Sequence, residues 1–121
     1  MATTHPCVIL YVEDNDFIRE SFAEILATPE RRIVCAADGA GARAVLREQR
    51  VDLLMTDINL PDCSGLDVAR EALQQHPGLP VILCSGDDAR DVARSLGASA
   101  YPLRKPVDLD ELDALIIRLV R

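Results

Sequence analysis

Val51-Asp52-Leu53-Leu54-Met55-Thr56-Asp57, followed by Ile58-Asn59-Leu60-Pro61-Asp62-Cys63-Ser64-Gly65, is the stretch that decides the fold. An apolar run of strand length that stops at a carboxylate, then a loop punctuated by Pro and Gly, reads as a buried parallel strand ending at a site. Taken alone, Asp57 reads more readily as a solvated turn residue. The weight therefore falls on what surrounds it.

On either side, apolar strand-like runs alternate strictly with helical patterns. Cys7 to Val12 is a first strand, followed by the acids Glu13 and Asp14. From Phe17 to Ala27, Ile18, Phe22, Ile25 and Leu26 fall at helical spacing, and Pro29 stops the helix they predict. Arg32 to Ala36 is a second strand, and Ala40 to Gln49 a helix with Ala42, Val45 and Leu46 inward. The strand ending at Asp57 is third. Ser64 caps the next helix, with Asp67 as a capping-box partner and Leu66, Ala69 and Leu73 as its buried stripe. Val81 to Cys84 is a fourth strand, Asp88 to Leu96 a short helix closed by Gly97, and Ser99 to Arg104 a fifth strand. Asp108 caps a last helix, with Glu111 as box partner and Leu112, Leu115, Ile116 and Leu119 inward. Five β/α units predict an α/β fold: a doubly wound five-stranded parallel sheet, helices on both faces, right-handed crossovers and strand order 2-1-3-4-5. In that order ligands bind at the carboxyl ends of strands 1 and 3, where the order reverses.

Bulk properties narrow the function. The 121 residues suit one domain, 1–121, and 49% of them are hydrophobic, too many for a disordered acidic tail. No apolar run approaches the roughly 20 residues that span a bilayer. The start, Met1 to Pro6, lacks the basic region and apolar stretch of a secretory signal, so a soluble, cytoplasmic protein with no membrane partner is expected. Net charge is −7, the basic residues are scattered and only 3% of residues are aromatic. Neither a phosphate-binding patch nor a base-stacking platform is present, and direct nucleic-acid binding is not expected. Cys7, Cys35, Cys63 and Cys84 show no C-x-x-C spacing, and His5 and His76 complete no zinc pattern, so the thiols read as free, buried or in loops. No G-x-x-x-x-G-K-[ST] loop exists to bind ATP.

Four candidate groups fall at carboxyl ends of strands: Glu13-Asp14, Asp57, Ser85 and Lys105. Strands 1, 3, 4 and 5 are consecutive neighbours in the proposed order, so the groups converge on one sheet edge. Each alone has a plain explanation, as helix cap, turn or solvated loop; all of them at the same end of successive strands do not share one.

The motifs Val12-Glu13-Asp14-Asn15, Asp57-Ile58-Asn59-Leu60-Pro61 with Gly65, Ser85-Gly86, Gly97-Ala98 and Lys105-Pro106 resemble, in this order and over essentially the whole chain, the receiver domain of two-component response regulators. The resemblance, to single-domain CheY-like receivers with a flavodoxin-like sheet, implies bacterial phosphorelay signalling rather than enzyme turnover. By similarity, Asp57 is the phosphoacceptor, Glu13 and Asp14 the acidic metal pair, Ser85 the switch hydroxyl and Lys105 the catalytic lysine. The implied donor is a phosphohistidine on a histidine kinase or histidine phosphotransfer protein, with a partner protein downstream. Slow hydrolysis of the phosphorylated form in place is also implied, with Asn59 and Asp87 at the rim tuning it.

Asp57 must be ionised to attack phosphorus, yet neighbouring carboxylates raise its pKa; a divalent cation removes the conflict. Mg²⁺, with Mn²⁺ as a substitute, takes oxygen ligands and keeps several waters. Asp14, Asp57 and the backbone carbonyl of Asn59 are the expected direct ligands, with Glu13 acting through water.

Two departures from the family pattern bear on the readout. Its aromatic, three residues before the lysine, is here Pro102, with Tyr101 one position earlier. Either a bulge at Pro102 restores the register, the reading preferred, or the aromatic switch is altered. The interval from Ser85 to Gly97 is about three residues short of the family's, so the fourth helix is expected to lose most of a turn, and dimerisation through that face is doubtful. Lys105-Pro106 is expected to be cis, as in relatives. Nothing follows the last helix, so no attached output module is expected; a receiver excised from a longer chain such as a hybrid kinase is the alternative. Outside this class stand a hydrolase of the haloacid dehalogenase type, disfavoured because Asn59 replaces its second Asp, and a receiver-like binding module that is never phosphorylated.

Overall fold

The computed structural model describes residues 6–120; His5 and the Met1–Thr4 start lie outside the described residues. Ten elements alternate along the chain: β1 (Cys7–Val12), α1 (Asp16–Leu26), β2 (Arg31–Ala36), α2 (Gly39–Glu48), β3 (Leu53–Asp57), α3 (Gly65–Gln75), β4 (Val81–Ser85), α4 (Arg90–Ser95), β5 (Ala100–Arg104) and α5 (Leu109–Leu119). All strand pairs are parallel and the sheet runs β2-β1-β3-β4-β5, the expected order.

Alternate strand residues bury on opposite faces, which is why the strands read as continuous apolar runs rather than alternating ones. Leu10, Val12, Leu54, Val81 and Leu83 pack against Ala42 of α2, Val68, Ala69 and Ala72 of α3 and Ala93 of α4. Ile9, Tyr11, Leu53, Met55, Ile82 and Cys84 pack on the other side against Leu26 of α1 and Leu112 and Ile116 of α5. Arg31 donates to Asp113 Oδ1 at 2.6 Å, tying the start of β2 to α5.

Helix starts follow local chemistry. Asn15, Asp38, Ser64 and Asp108 each cap a helix through a side-chain oxygen that accepts a first-turn N–H. Asp67 does not complete a capping box: its carboxylate pairs with Arg70 one turn on. Glu111 gives its backbone N–H to Asp108, and that is the bond the structure holds between the two.

The expected inward face of α1 is corrected. Leu26 is buried and Phe22 partly so, but Ile18 is 37% and Ile25 56% exposed, with Phe17 at 78%. The helix lies over the edge strand β2 and its neighbour β1, and these residues fall outside the surface it covers. In α3 the buried stripe is Val68, Ala69 and Ala72, with Leu66 and Leu73 at its margins. Cys35, expected in a core or loop, is exposed on β2, and all four cysteines are free. Helix α4 has 6 residues and no side-chain cap, consistent with the shortened interval before it.

Gly65 opens α3 where the helix meets the end of β3. A Cβ there would overlap the backbone carbonyl of Asp57, whereas a Cβ on Gly86 would meet nothing within 4 Å. Overpacking against fixed backbone typically costs about 1–3 kcal/mol. Gly65→Ala is therefore expected to lower the urea-unfolding free energy by about that amount, while Gly86→Ala stays within about 0.5 kcal/mol of the parent.

Candidate functional site

The strand order sets β1 beside β3, so the residues that leave their carboxyl ends face each other. Glu13, Asp14 and Asp57 each offer a carboxylate oxygen within 4.8 Å of the other two. Glu13 and Asp57 are buried and Asp14 is exposed, so the cluster opens to solvent on one side. Glu13 is held by the Asn15 N–H, which donates to its Oε2 at 3.1 Å, while Arg19 donates to the Glu13 carbonyl at 2.9 Å and to Asp16.

Lys105 follows β5 and reaches back over the edge. Its Nζ lies 2.7 Å from Asp57 Oδ1 and 3.5 Å from Glu13 Oε1. The Lys105 ammonium is the cationic partner of Oδ1, which is fully enclosed and accepts no other hydrogen bond among the described residues. A buried carboxylate oxygen is costly unless a cationic group meets it, and the Lys105 ammonium does so here. Burial first, then the adjoining Asp57 carboxyl, push Glu13 above the ordinary carboxylate range. Burial by itself would lower Lys105, but pairing with Asp57 and the charge of Glu13 outweigh it and hold the ammonium above its usual value. One ammonium stands among three carboxylates, so the donor set fits a hard divalent cation bound by oxygen.

The loop after Asp57 is closed on itself. Gly65 N–H donates to the Ile58 carbonyl at 2.6 Å and Leu60 N–H to the Cys63 carbonyl at 3.2 Å, bracketing an Asn59–Ser64 bridge. This is the non-hydrogen-bonded kind of antiparallel pair, so the N–H and C=O of Asn59 turn away from Ser64. Ser85 ends β4, and its hydroxyl oxygen accepts the Asp87 N–H at 3.0 Å, which leaves its own proton free to donate. Asp87 is exposed at the rim. Beside Asp57 on the α1/α5 face lies a cavity of about 290 Å³ walled by Tyr11, Phe22, Met55, Cys84 and Leu112. Burial pushes the Cys84 thiol up to about 12, so it remains an apolar wall.

Tyr101 does not join this group. The β4–β5 register is unbroken from Ala100 to Arg104, which overturns the expected bulge at Pro102. The Lys105 N–H bonds to the Ser85 carbonyl; counting back by twos, the missing N–H of Pro102 points away from β4. On an edge strand that position requires no partner, so the strand needs no bulge. Tyr101 therefore faces α5, with the Arg118 guanidinium 6.0 Å from its ring centroid, while Pro102 pairs with Leu83 on the opposite face. The Lys105-Pro106 peptide is cis. Sequence reading gave no role to Arg19, which holds the Glu13 carbonyl and is placed only by the fold; Asn15, named in the Val12–Asn15 motif, holds the Glu13 carboxylate through its N–H and caps α1.

The sequence matches the response regulator receiver domain family over residues 9–117. The probable transcriptional regulatory protein TcrX of Mycobacterium tuberculosis is 34% identical over 99% of this chain and 52% of its own length. The transcriptional regulatory protein AfsQ1 of Streptomyces coelicolor is 37% identical over 93% of this chain and 51% of its own. Among solved structures, response regulator protein TrrA of Thermotoga maritima, crystallised with Mg(2+)-BeF, superposes with a TM-score of 0.83 at 30% identity, covering 93% of this chain and 98% of that one. The chain belongs to the response regulator receiver family, the phosphoacceptor signalling domains of two-component systems. It spans about half the length of TcrX and AfsQ1. Among the described residues no helix is long and apolar enough to cross a membrane.

The raised Glu13 has a consequence for stability without a divalent cation. The folded state holds this proton more tightly than the unfolded chain, so the Glu13 contribution to stability falls as pH rises from the ordinary value of 4.5 toward neutrality. Glu13→Gln is expected to remove that fall. Urea unfolding of both proteins over this range in a chelator checks it; parallel profiles would contradict it.

Proposed function

We propose that residues 1–121 act as one receiver domain in which Asp57 takes a phosphoryl group from a phosphohistidine donor. The observation that carries this reading is the enclosed Asp57 carboxylate, paired with Lys105 at 2.7 Å and crowded by Glu13 and Asp14. An Asp57 oxygen forms the new O–P bond as the P–N bond to the donor imidazole breaks, and the imidazole leaves with the electron pair. Because phosphoryl transfer asks little covalent chemistry of the protein, positioning and charge neutralisation supply the rate. Lys105 meets one phosphoryl oxygen. Ser85 donates its hydroxyl proton to another.

Asp14, Asp57 and the Asn59 carbonyl are the residues that would hold Mg²⁺ or Mn²⁺ directly, with Glu13 bound through water. The bound cation supplies charge neutralisation at the phosphoryl oxygens and relief of the carboxylate repulsion. Asn59 and Asp87, both exposed at the rim, tune a slow hydrolysis of the acyl phosphate.

The donor is a histidine kinase or histidine phosphotransfer protein, and exposed Phe17 and Ile18 on α1, beside the acidic cluster, offer it an apolar docking surface. The output goes to a downstream partner protein in the cytoplasm, without direct contact of this domain with nucleic acid or membrane. With Tyr101 packed toward α5, the signal leaves through Ser85 and the short α4 rather than through an aromatic flip.

Incubation with a small-molecule phosphodonor and Mg²⁺, read on a phosphate-affinity gel, tests the reading. The parent is expected to give a shifted band, and Asp57→Asn and a chelated sample none. Lys105→Ala is expected to slow formation of the band by about a hundredfold. A shift of equal size in Asp57→Asn would sink the assignment.

A further inference from the structure

Asp62 stands five residues beyond Asp57, outside the acidic cluster, and its carboxylate is fully committed elsewhere. Its Oδ1 accepts the Gly39 N–H at 2.8 Å and its Oδ2 the Ala40 N–H at 2.9 Å, so the β3–α3 loop is clamped to the first turn of α2. Those two donors are among the helix-start N–H groups that have no partner inside the helix. They lower the pKa of Asp62 below the usual carboxylate range, Gly39 first and Ala40 second. A second contact accompanies the clamp: Cys63 Sγ lies in the space that a Cβ on Gly39 would fill, so a larger residue there would require the Cys63 side chain to move. Asp38 supplies α2 with a separate cap of its own, its Oδ1 accepting the Gly41 N–H at 2.7 Å. The helix therefore does not need Asp62 to begin, and the bonds to Asp62 fix the loop rather than the helix.

What the loop carries is the backbone carbonyl of Asn59, turned outward by the Asn59–Ser64 bridge. We infer that Asp62 is a positioning residue for the cation site: by anchoring the loop to the start of α2, it holds the Asn59 carbonyl in place as a ligand. This rests on the metal-binding reading given above. Groups that orient metal ligands without touching the metal typically change affinity by about 10- to 100-fold when removed.

The test compares Asp62→Ala with Asp38→Ala. Each variant strips α2 of one cap, and only the first releases the loop. Mg²⁺ affinity is measured by titration calorimetry, and backbone hydrogen exchange is followed across residues 58–65. Asp62→Ala is expected to weaken Mg²⁺ about tenfold and to speed exchange at Leu60 and Gly65. Asp38→Ala is expected to leave both near the parent. Asp62→Asn, which keeps one acceptor oxygen, falls between. If Asp62→Ala binds Mg²⁺ as the parent does, or if both alanine variants weaken it equally, the positioning role is wrong while the metal site stands. If the parent itself binds no Mg²⁺, the metal reading fails and this inference with it.

Discussion

Three carboxylates share one small volume at the carboxyl edge of the sheet, and a single ammonium stands among them. Two of the three are buried, where like charges repel far more strongly than in water. The fold creates this conflict by placing β1 next to β3, and it resolves only part of it through Lys105. Glu13 responds by holding its proton more tightly. The Asp57 oxygen that meets Lys105 is fully enclosed, while Asp14 leaves the cluster open to solvent on one side. The proposed nucleophile, the proposed cation site and the need for charge neutralisation thus share one origin.

The site is precise because it sits on strand ends braced by close backbone approaches. Gly65 lets α3 begin against the Asp57 carbonyl, and Gly39 lets Cys63 lie against the start of α2. Gly65 is required by space rather than by backbone angle, since a Cβ there would meet fixed backbone and its φ is not positive, whereas a Cβ at Gly39 would displace the Cys63 side chain. The side proposed for output is built differently: α4 is short and lacks a side-chain cap, and Tyr101 packs toward α5.

The strands and their order were legible because a strand buried on both faces leaves an unmistakable apolar run, as in Leu53 to Thr56. The placement of Glu13, Asp14, Asp57, Ser85 and Lys105 at strand ends followed from the same runs. The inward set of α1 was misread because periodicity gives the width of an apolar stripe but not of the surface under it, and Ile18 and Ile25 overhang. The bulge at Pro102 was misjudged because a sequence does not reveal which side of an edge strand lacks the N–H. The clamp from Asp62 to Gly39 joins residues 23 apart through backbone donors, which no side-chain motif records.

The most direct measurement is chemical trapping of the phosphorylated residue. An acyl phosphate on aspartate is reduced by borohydride to an alcohol, so the modified position can be read by peptide mass spectrometry. After exposure to a phosphodonor and Mg²⁺, the account requires homoserine at position 57, dependent on both reagents. Reduction at another carboxylate, or none in a sample that has taken up phosphoryl groups, would contradict it.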